Sequence, residues 1–325
     1  MPRFRSATVT GFLEERAGLQ RVETDLGPAY ALTDLVGPVS AGDRVVLNTT
    51  AVELGLGTGG WHVVHWNLSR DEWASSATGH VVKLRYTSLQ VDVDIPAPGP
   101  ITARPVVARP VVACSVHSQV PCVAAAFKHA RPHASVTYVM TDGGALPIAV
   151  SDLVASMRDT GLVDRTVTAG HAFGGDVETV NVASALTLDG DLLVVGMGPG
   201  VVGIGDPLGT TAVEQAAILD TAAFLGHRPI AALRYSTSDT RERHRGVSHH
   251  SVTALAMTRT TVEVGVPSGM DIDIERHHVT HVDDVDVPRL LDQRGVRVTT
   301  MGRGPEDDPL FFAVAGAAGT LASLT

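Results

Sequence analysis

Val111-Val112-Ala113-Cys114-Ser115-Val116 is an almost unbroken apolar run, and the residues after it, through Ala126, read as a helix. A strand with no alternating polar positions is buried on both faces, as in a parallel sheet covered by helices. The same unit recurs downstream. Val136 to Met140 reads as a strand and Leu146 to Arg158 as a helix. Leu192 to Val195 is a second strongly buried strand, and Ala212 to Leu225 a helix with Val213, Ala216, Ala217, Ala223 and Phe224 among its apolar positions. Thr166 to Thr168 reads as a short strand, Val177 to Leu188 as a helix, Ile230 to Leu233 as a strand, Ser251 to Met257 as a helix and Val262 to Val266 as a strand. Such alternation predicts a mainly parallel, doubly wound α/β domain over residues 111–325. Its last ~55 residues, with strand-like Val279 to Val282 and Val296 to Thr300 around a helix at Val287 to Gln293, either extend the sheet or cap it.

Residues 1–95 have a different texture. Ser6-Ala-Thr-Val-Thr, Leu19-Gln-Arg-Val-Glu-Thr and Arg44-Val-Val-Leu-Asn alternate as strands do, and His62 to Trp66 and Val81 to Tyr86 continue the pattern. Short strands between glycine-marked turns predict a small β-barrel or sandwich domain. Between the two domains, residues 96–110 hold five prolines and repeat Ala-Arg-Pro-Val-Val, which reads as a stiff linker.

The composition is that of a globular chain, with 44% hydrophobic and 18% charged residues over 325 positions. A formal net charge of −10 disfavours general nucleic-acid binding, which needs a basic surface. Cys114 and Cys122 are too few for a secreted scaffold and spaced unlike paired zinc ligands, so both are expected as reduced, partly buried thiols. The N-terminus has no apolar segment of signal-peptide type, and no apolar run approaches a membrane span. The expected location is the cytoplasm. The small residues Ala315-Gly316-Ala317-Ala318-Gly319 would allow close helix approach, and a homodimer is the oligomer expected from them.

Three stretches carry a family resemblance: Leu47-Asn-Thr-Thr-Ala-Val with Gly55-Leu-Gly-Thr-Gly-Gly, Val195-Gly-Met-Gly-Pro-Gly-Val-Val-Gly, and Arg241-Glu-Arg-His-Arg-Gly-Val-Ser-His-His. In them the chain resembles the uncharacterised bacterial family called domain of unknown function 3866. The resemblance implies a bacterial protein and brings no activity with it, so the functional reading rests on the residues.

Ligands of open parallel sheets bind beyond the carboxyl ends of the strands. The loops there carry His117, then Asp142, then His171, then the glycines Gly198, Gly200, Gly203 and Gly205, then the Arg241–His250 run. Gly198 to Gly203 formally matches a dinucleotide motif, but Pro199 interrupts it and the following helix starts too late for a pyrophosphate site. Bare amides of such a loop can instead approach an anion. Arg241, Arg243 and Arg245 offer forked donors for phosphate or carboxylate beside a helix start that includes Ser248 and His250. His249 and His244, with Asp142 and His171, are the acid/base candidates. Adjacent residues on a helix point about 100° apart, which argues against His249 and His250 sharing one metal ion. The sequence names neither metal nor cofactor.

Two functional classes follow. One is an enzyme acting on a small anionic, phosphate- or carboxylate-bearing metabolite at the strand-end loops. The other is a non-catalytic protein that senses such an anion.

Overall fold

The computed structural model of the chain describes residues 1–57, 59–75, 79–96 and 107–324. Most of the expected linker and Thr58 of the first glycine loop lie outside the described residues. The chain forms two compact units, Met1–Asp94 and Ile95–Thr325.

The first unit is a closed five-stranded barrel of β1 (Phe4–Arg16), β2 (Leu19–Thr24), β3 (Gly27–Ala31), β4 (Arg44–Asn48) and β5 (His62–Asn67), in the order β1-β2-β3-β5-β4. Closure depends on β1, whose first half pairs with β4 and whose second half pairs with β2. Irregular register between Val9 and Gly11, and between Phe12 and Glu14, bends the strand from one partner to the other. Ala7, Val9, Val22, Val45, Leu47 and Val64 fill the interior. Single helical turns α1 (Thr33–Val36) and α2 (Thr50–Glu53) join strands, and a ribbon of β6 (Val81–Lys83) and β7 (Val91–Val93) follows the barrel. The strand expected to reach Tyr86 stops at Lys83, because Leu84 and Tyr86 take left-handed backbone angles, φ 50° and 61°.

The second unit is an eight-stranded, wholly parallel sheet. In chain order its strands are β8 (Pro110–Cys114), β9 (Val136–Thr141), β10 (Arg165–Ala169), β11 (Val177–Thr179), β12 (Leu192–Met197) and β13 (Arg228–Ala232). The short β14 (Tyr235–Ser236) and β15 (Gly246–Val247) form a separate antiparallel ribbon, and β16 (Glu263–Pro267) and β17 (His278–Val282) complete the sheet. The order is β11-β10-β9-β12-β8-β13-β16-β17. The helices are α3 (Val120–Ala130), α4 (Asp152–Asp159), α5 (Val182–Ala185), α6 (Glu214–Phe224), α7 (His249–Met257), α8 (Val287–Asp292) and α9 (Pro309–Ser323).

Both faces of the central strands are buried, as the apolar runs predict. Val112, Cys114, Leu192 and Val194 pack with residues of α3, α4, α8 and α9 on one face. Val111, Ala113, Leu193 and Val195 pack with residues of α5, α6 and α7 on the other. The chain moves from β8 outward through β9, β10 and β11, returns to insert β12 beside β8, and then builds β13, β16 and β17 on the far side. Helices leaving β8 and β12 therefore lie on opposite faces, and a crevice opens where the winding reverses.

Three expected elements differ. Val177–Leu188 is not one helix: Val177, Glu178 and Thr179 pair with Val167, Thr168 and Ala169 as an edge strand, and only the single turn α5 follows. Leu146–Arg158 has a 3-10 turn at Ile148–Val150 and becomes α-helical only at Asp152, where the Ser151 side chain accepts from the Val154 amide. Val296 to Thr300 is not a strand; Val296 and Val298 are buried, but among the described residues the segment makes only an isolated bridge from Thr300 to Arg303. The C-terminal region both extends the sheet, through β17, and covers one face, through α8 and α9. The small residues of α9 are spent inside the chain: a Cβ on Gly319 would lie 2.1 Å from the Val123 carbonyl oxygen, and one on Gly316 2.3 Å from Val287.

Candidate functional site

The loop after β8 brings His117 to the edge of the crevice. Its Nδ1 lies 3.2 Å from the Tyr138 hydroxyl and its Nε2 2.9 Å from Ser151 Oγ. Tyr138 donates to the carbonyls of Gly196 and Met197, so it accepts from His117 Nδ1–H, and Ser151 donates to Nε2. Burial pushes the imidazole down to about 4, so the ring is neutral and both nitrogens are occupied.

The loops after β9 and β10 meet through Asp142, which accepts from the His171 amide at 3.0 Å. Beside them stands a residue that the sequence did not single out. Glu214, the first residue of α6, accepts from the Thr141 hydroxyl at 2.7 Å. Burial raises its carboxyl to about 7, with the Asp142 charge adding to the rise. Cys114 and Cys122 are free, buried thiols held above the usual range by burial.

The glycine loop after β12 has two parts. Gly198 and Gly200 run along the crevice, where a Cβ on Gly198 would press against the Ala145 carbonyl at 2.8 Å. Gly203 bridges to Thr210 and lies against His250 Nε2, and Gly205, at φ 86°, is the exposed turn beyond.

The Arg/His run is the loop held by the β14–β15 ribbon, followed by the first turn of α7. Arg241 is bound to Asp239 through two hydrogen bonds at 2.9 and 2.8 Å. Arg245 donates to the Asp239 carbonyl, and Arg243 is exposed. Asp239, 1% exposed, is a hub that also receives Arg303 at 3.2 Å and faces Arg234 at 3.6 Å. Arg303 continues to Asp308, which accepts from Ser236. The Arg241 bonds, first, and its charge hold the Asp239 carboxyl far below the usual carboxylate range.

His244, His249 and His250 converge, with one ring nitrogen of each within 4.8 Å of the others. The expectation that adjacent His249 and His250 diverge is therefore corrected: α7 begins at His249, and both rings lean over its start toward His244. Ser248, the N-cap, accepts from the His250 amide.

A cavity of about 340 Å³ sits at the winding reversal between β8 and β12. His117, Ser118, Gly200 and Val201 form one side, and Arg297, Thr299 and Met301 of the C-terminal region another. Asp142, His171 and the His244–His250 cluster do not line it. Arg297 has no hydrogen-bonding or ionic partner among the described residues, and it too escaped the sequence reading. Its only sequence signal is a cation between the buried Val296 and Val298.

The fold and crevice define a barrel-bearing, doubly wound α/β protein with a ligand-sized cavity at its strand-order reversal. A family model, Protein of unknown function (DUF3866), matches residues 28–319, and the chain belongs to that family. No curated protein and no solved structure matches the chain. No helix among the described residues is long and apolar enough to cross a membrane.

Proposed function

We propose that the protein is a cytoplasmic enzyme that binds a small anionic, phosphate- or carboxylate-bearing metabolite at the strand-end crevice of its α/β unit. The observation that carries this reading is the cavity between the β8 and β12 loops, with the unpartnered Arg297 on its wall. Its size suits a small metabolite, and its place is where open α/β sheets hold ligands. A guanidinium without a carboxylate of its own is a ready partner for a ligand oxyanion. Glu214, whose carboxyl is raised to about 7 by burial and by the neighbouring Asp142, supplies a proton-transfer group at the neighbouring strand ends.

One observation favours a second reading, a non-catalytic anion sensor. Among the described residues His117 is the sole imidazole on the cavity wall, and Tyr138 and Ser151 occupy both of its nitrogens. Thermal unfolding against a panel of phosphate esters and small carboxylates tests the binding claim. A ligand at a hundred times its Kd is expected to add about 2.7 kcal/mol of stability. Incubation of the stabilising compounds with the protein, followed by product analysis, separates enzyme from sensor.

A further inference from the structure

Three imidazoles within reach of one point could hold a metal ion or an anion, and their hydrogen bonds distinguish the two. Arg234 can only donate, and its Nη1 lies 3.2 Å from His250 Nδ1. His250 Nδ1 is therefore an acceptor, and the neutral ring carries its proton on Nε2. Ser248 Oγ lies 2.7 Å from His244 Nδ1 and already accepts the His250 amide. The hydroxyl is fully buried, and its proton has no other acceptor among the described residues, so it donates to His244 Nδ1. His244 likewise carries its proton on Nε2.

A metal ion needs an imidazole lone pair. In two of the three rings that lone pair is already taken by a donor. What remains are N–H groups: Nε2 of His244 and of His250, neither with a partner among the described residues. His244 and His250 are 1% and 6% exposed as residues, yet neither Nε2 is sealed off, so each N–H can reach an incoming group. The buried Nε2 of His249 is unpartnered as well.

We propose that His244, His249 and His250, backed by Arg234, form a subsite for the tetrahedral oxyanion of a phosphate-bearing small molecule. The proposal rests on the reading of the protein as one that binds a small anionic molecule, and these histidines form a subsite outside the β8–β12 cavity, which they do not line. A Cβ on Gly203 of the glycine loop would stand 3.6 Å from His250 Nε2, so the glycine keeps one more side chain away from that nitrogen.

The surrounding charges agree. Arg234, Arg241 and Arg243 face the rings, against Asp239. Burial, then Arg234, holds His244 at about 3 and His250 at about 4. An arriving dianion adds the negative charge these rings lack and raises their affinity for protons.

Calorimetric titration of the full chain with sulfate, whose charge is constant above pH 4, tests this. The wild type is expected to bind sulfate at both pH 6 and pH 8, because the donors are the N–H groups of neutral rings. His249→Ala, at a half-exposed position, is expected to weaken binding about tenfold, and His249→Gln, which keeps a donor, to recover part of the loss. Zinc titrated into the protein is expected to bind no tighter than to His249→Ala. Tight zinc binding that depends on His249 overturns the proposal in favour of a metal centre. Anion binding that survives in His249→Ala but is lost in Arg297→Ala overturns it and leaves the crevice reading standing. No binding of any anion overturns both.

Discussion

Glu214 accepts a hydrogen bond from Thr141 at 2.7 Å, so the first residue of α6 and the last of β9 meet at the carboxyl edge of the sheet. Glu214 thereby leaves the ordinary role of an acid at a helix start. Burial outweighs that hydrogen bond and lifts the carboxyl from 4.5 to about 7.

The first prediction concerns pH. The folded state binds more protons than the unfolded chain between the two values, so Glu214 makes stability fall as pH rises through that window. A Glu214→Gln variant lacks the effect. Relative to wild type, it is expected to gain about 2 kcal/mol between pH 4.5 and pH 8, judged from about 1.4 kcal/mol per pKa unit with a discount for partial exposure. Urea unfolding at the two pH values measures it; parallel pH dependence in both proteins contradicts the assignment.

The second prediction concerns the Asp239 hub. Asp239→Asn leaves Arg234 buried without its countercharge, and a broken buried pair costs about 3–5 kcal/mol. The depressed carboxyl contributes stability that is present above its unfolded value and lost only as pH falls through strongly acid values. The deficit is therefore expected to be constant from pH 6 to pH 8. A variant as stable as wild type in guanidinium unfolding contradicts the hub.

Much of this architecture is legible in the sequence where one physical condition dominates. Val111–Val116 and Leu192–Val195 announce strands buried on both faces because nothing else requires so unbroken an apolar run. Val177–Leu188 misleads because its apolar spacing fits a helix, while the pairing of Val177 with Val167 is a non-local fact. Val296 and Val298 look like a strand because alternate burial needs no sheet partner. Within the site, the Arg/His run stands out as a cationic cluster in an acidic chain, and its loop does hold three converging imidazoles. Arg234 is invisible because one arginine after an apolar strand looks like a strand end; its meaning comes from Asp239 and His250, which only the fold brings to it. Arg241, prominent in sequence as an anion donor, is instead engaged with Asp239.

The third prediction tests the packing of α9. Gly319→Ala places a methyl group against the Val123 backbone, which cannot yield as a flexible side chain can. Overpacking of this kind costs about 1–3 kcal/mol. Gly161→Ala supplies the contrast: its φ of 63° is left-handed, unlike that of the helical Gly319, but a Cβ there meets nothing within 4 Å. Thermal melts in which Gly319→Ala loses no more than Gly161→Ala contradict the close approach of α9 to α3.

The most direct measurement is a calorimetric titration of the most stabilising anionic metabolite into wild type and Arg297→Ala, compared at one ionic strength. Arg297 is an exposed residue bound to no other described residue, so its truncation is expected to leave the fold intact. A hydrogen bond from a charged donor is worth about 1.5–3 kcal/mol, so Arg297→Ala is expected to bind about 10- to 100-fold more weakly. Equal affinity in the two proteins would contradict an anion seated in the crevice between β8 and β12.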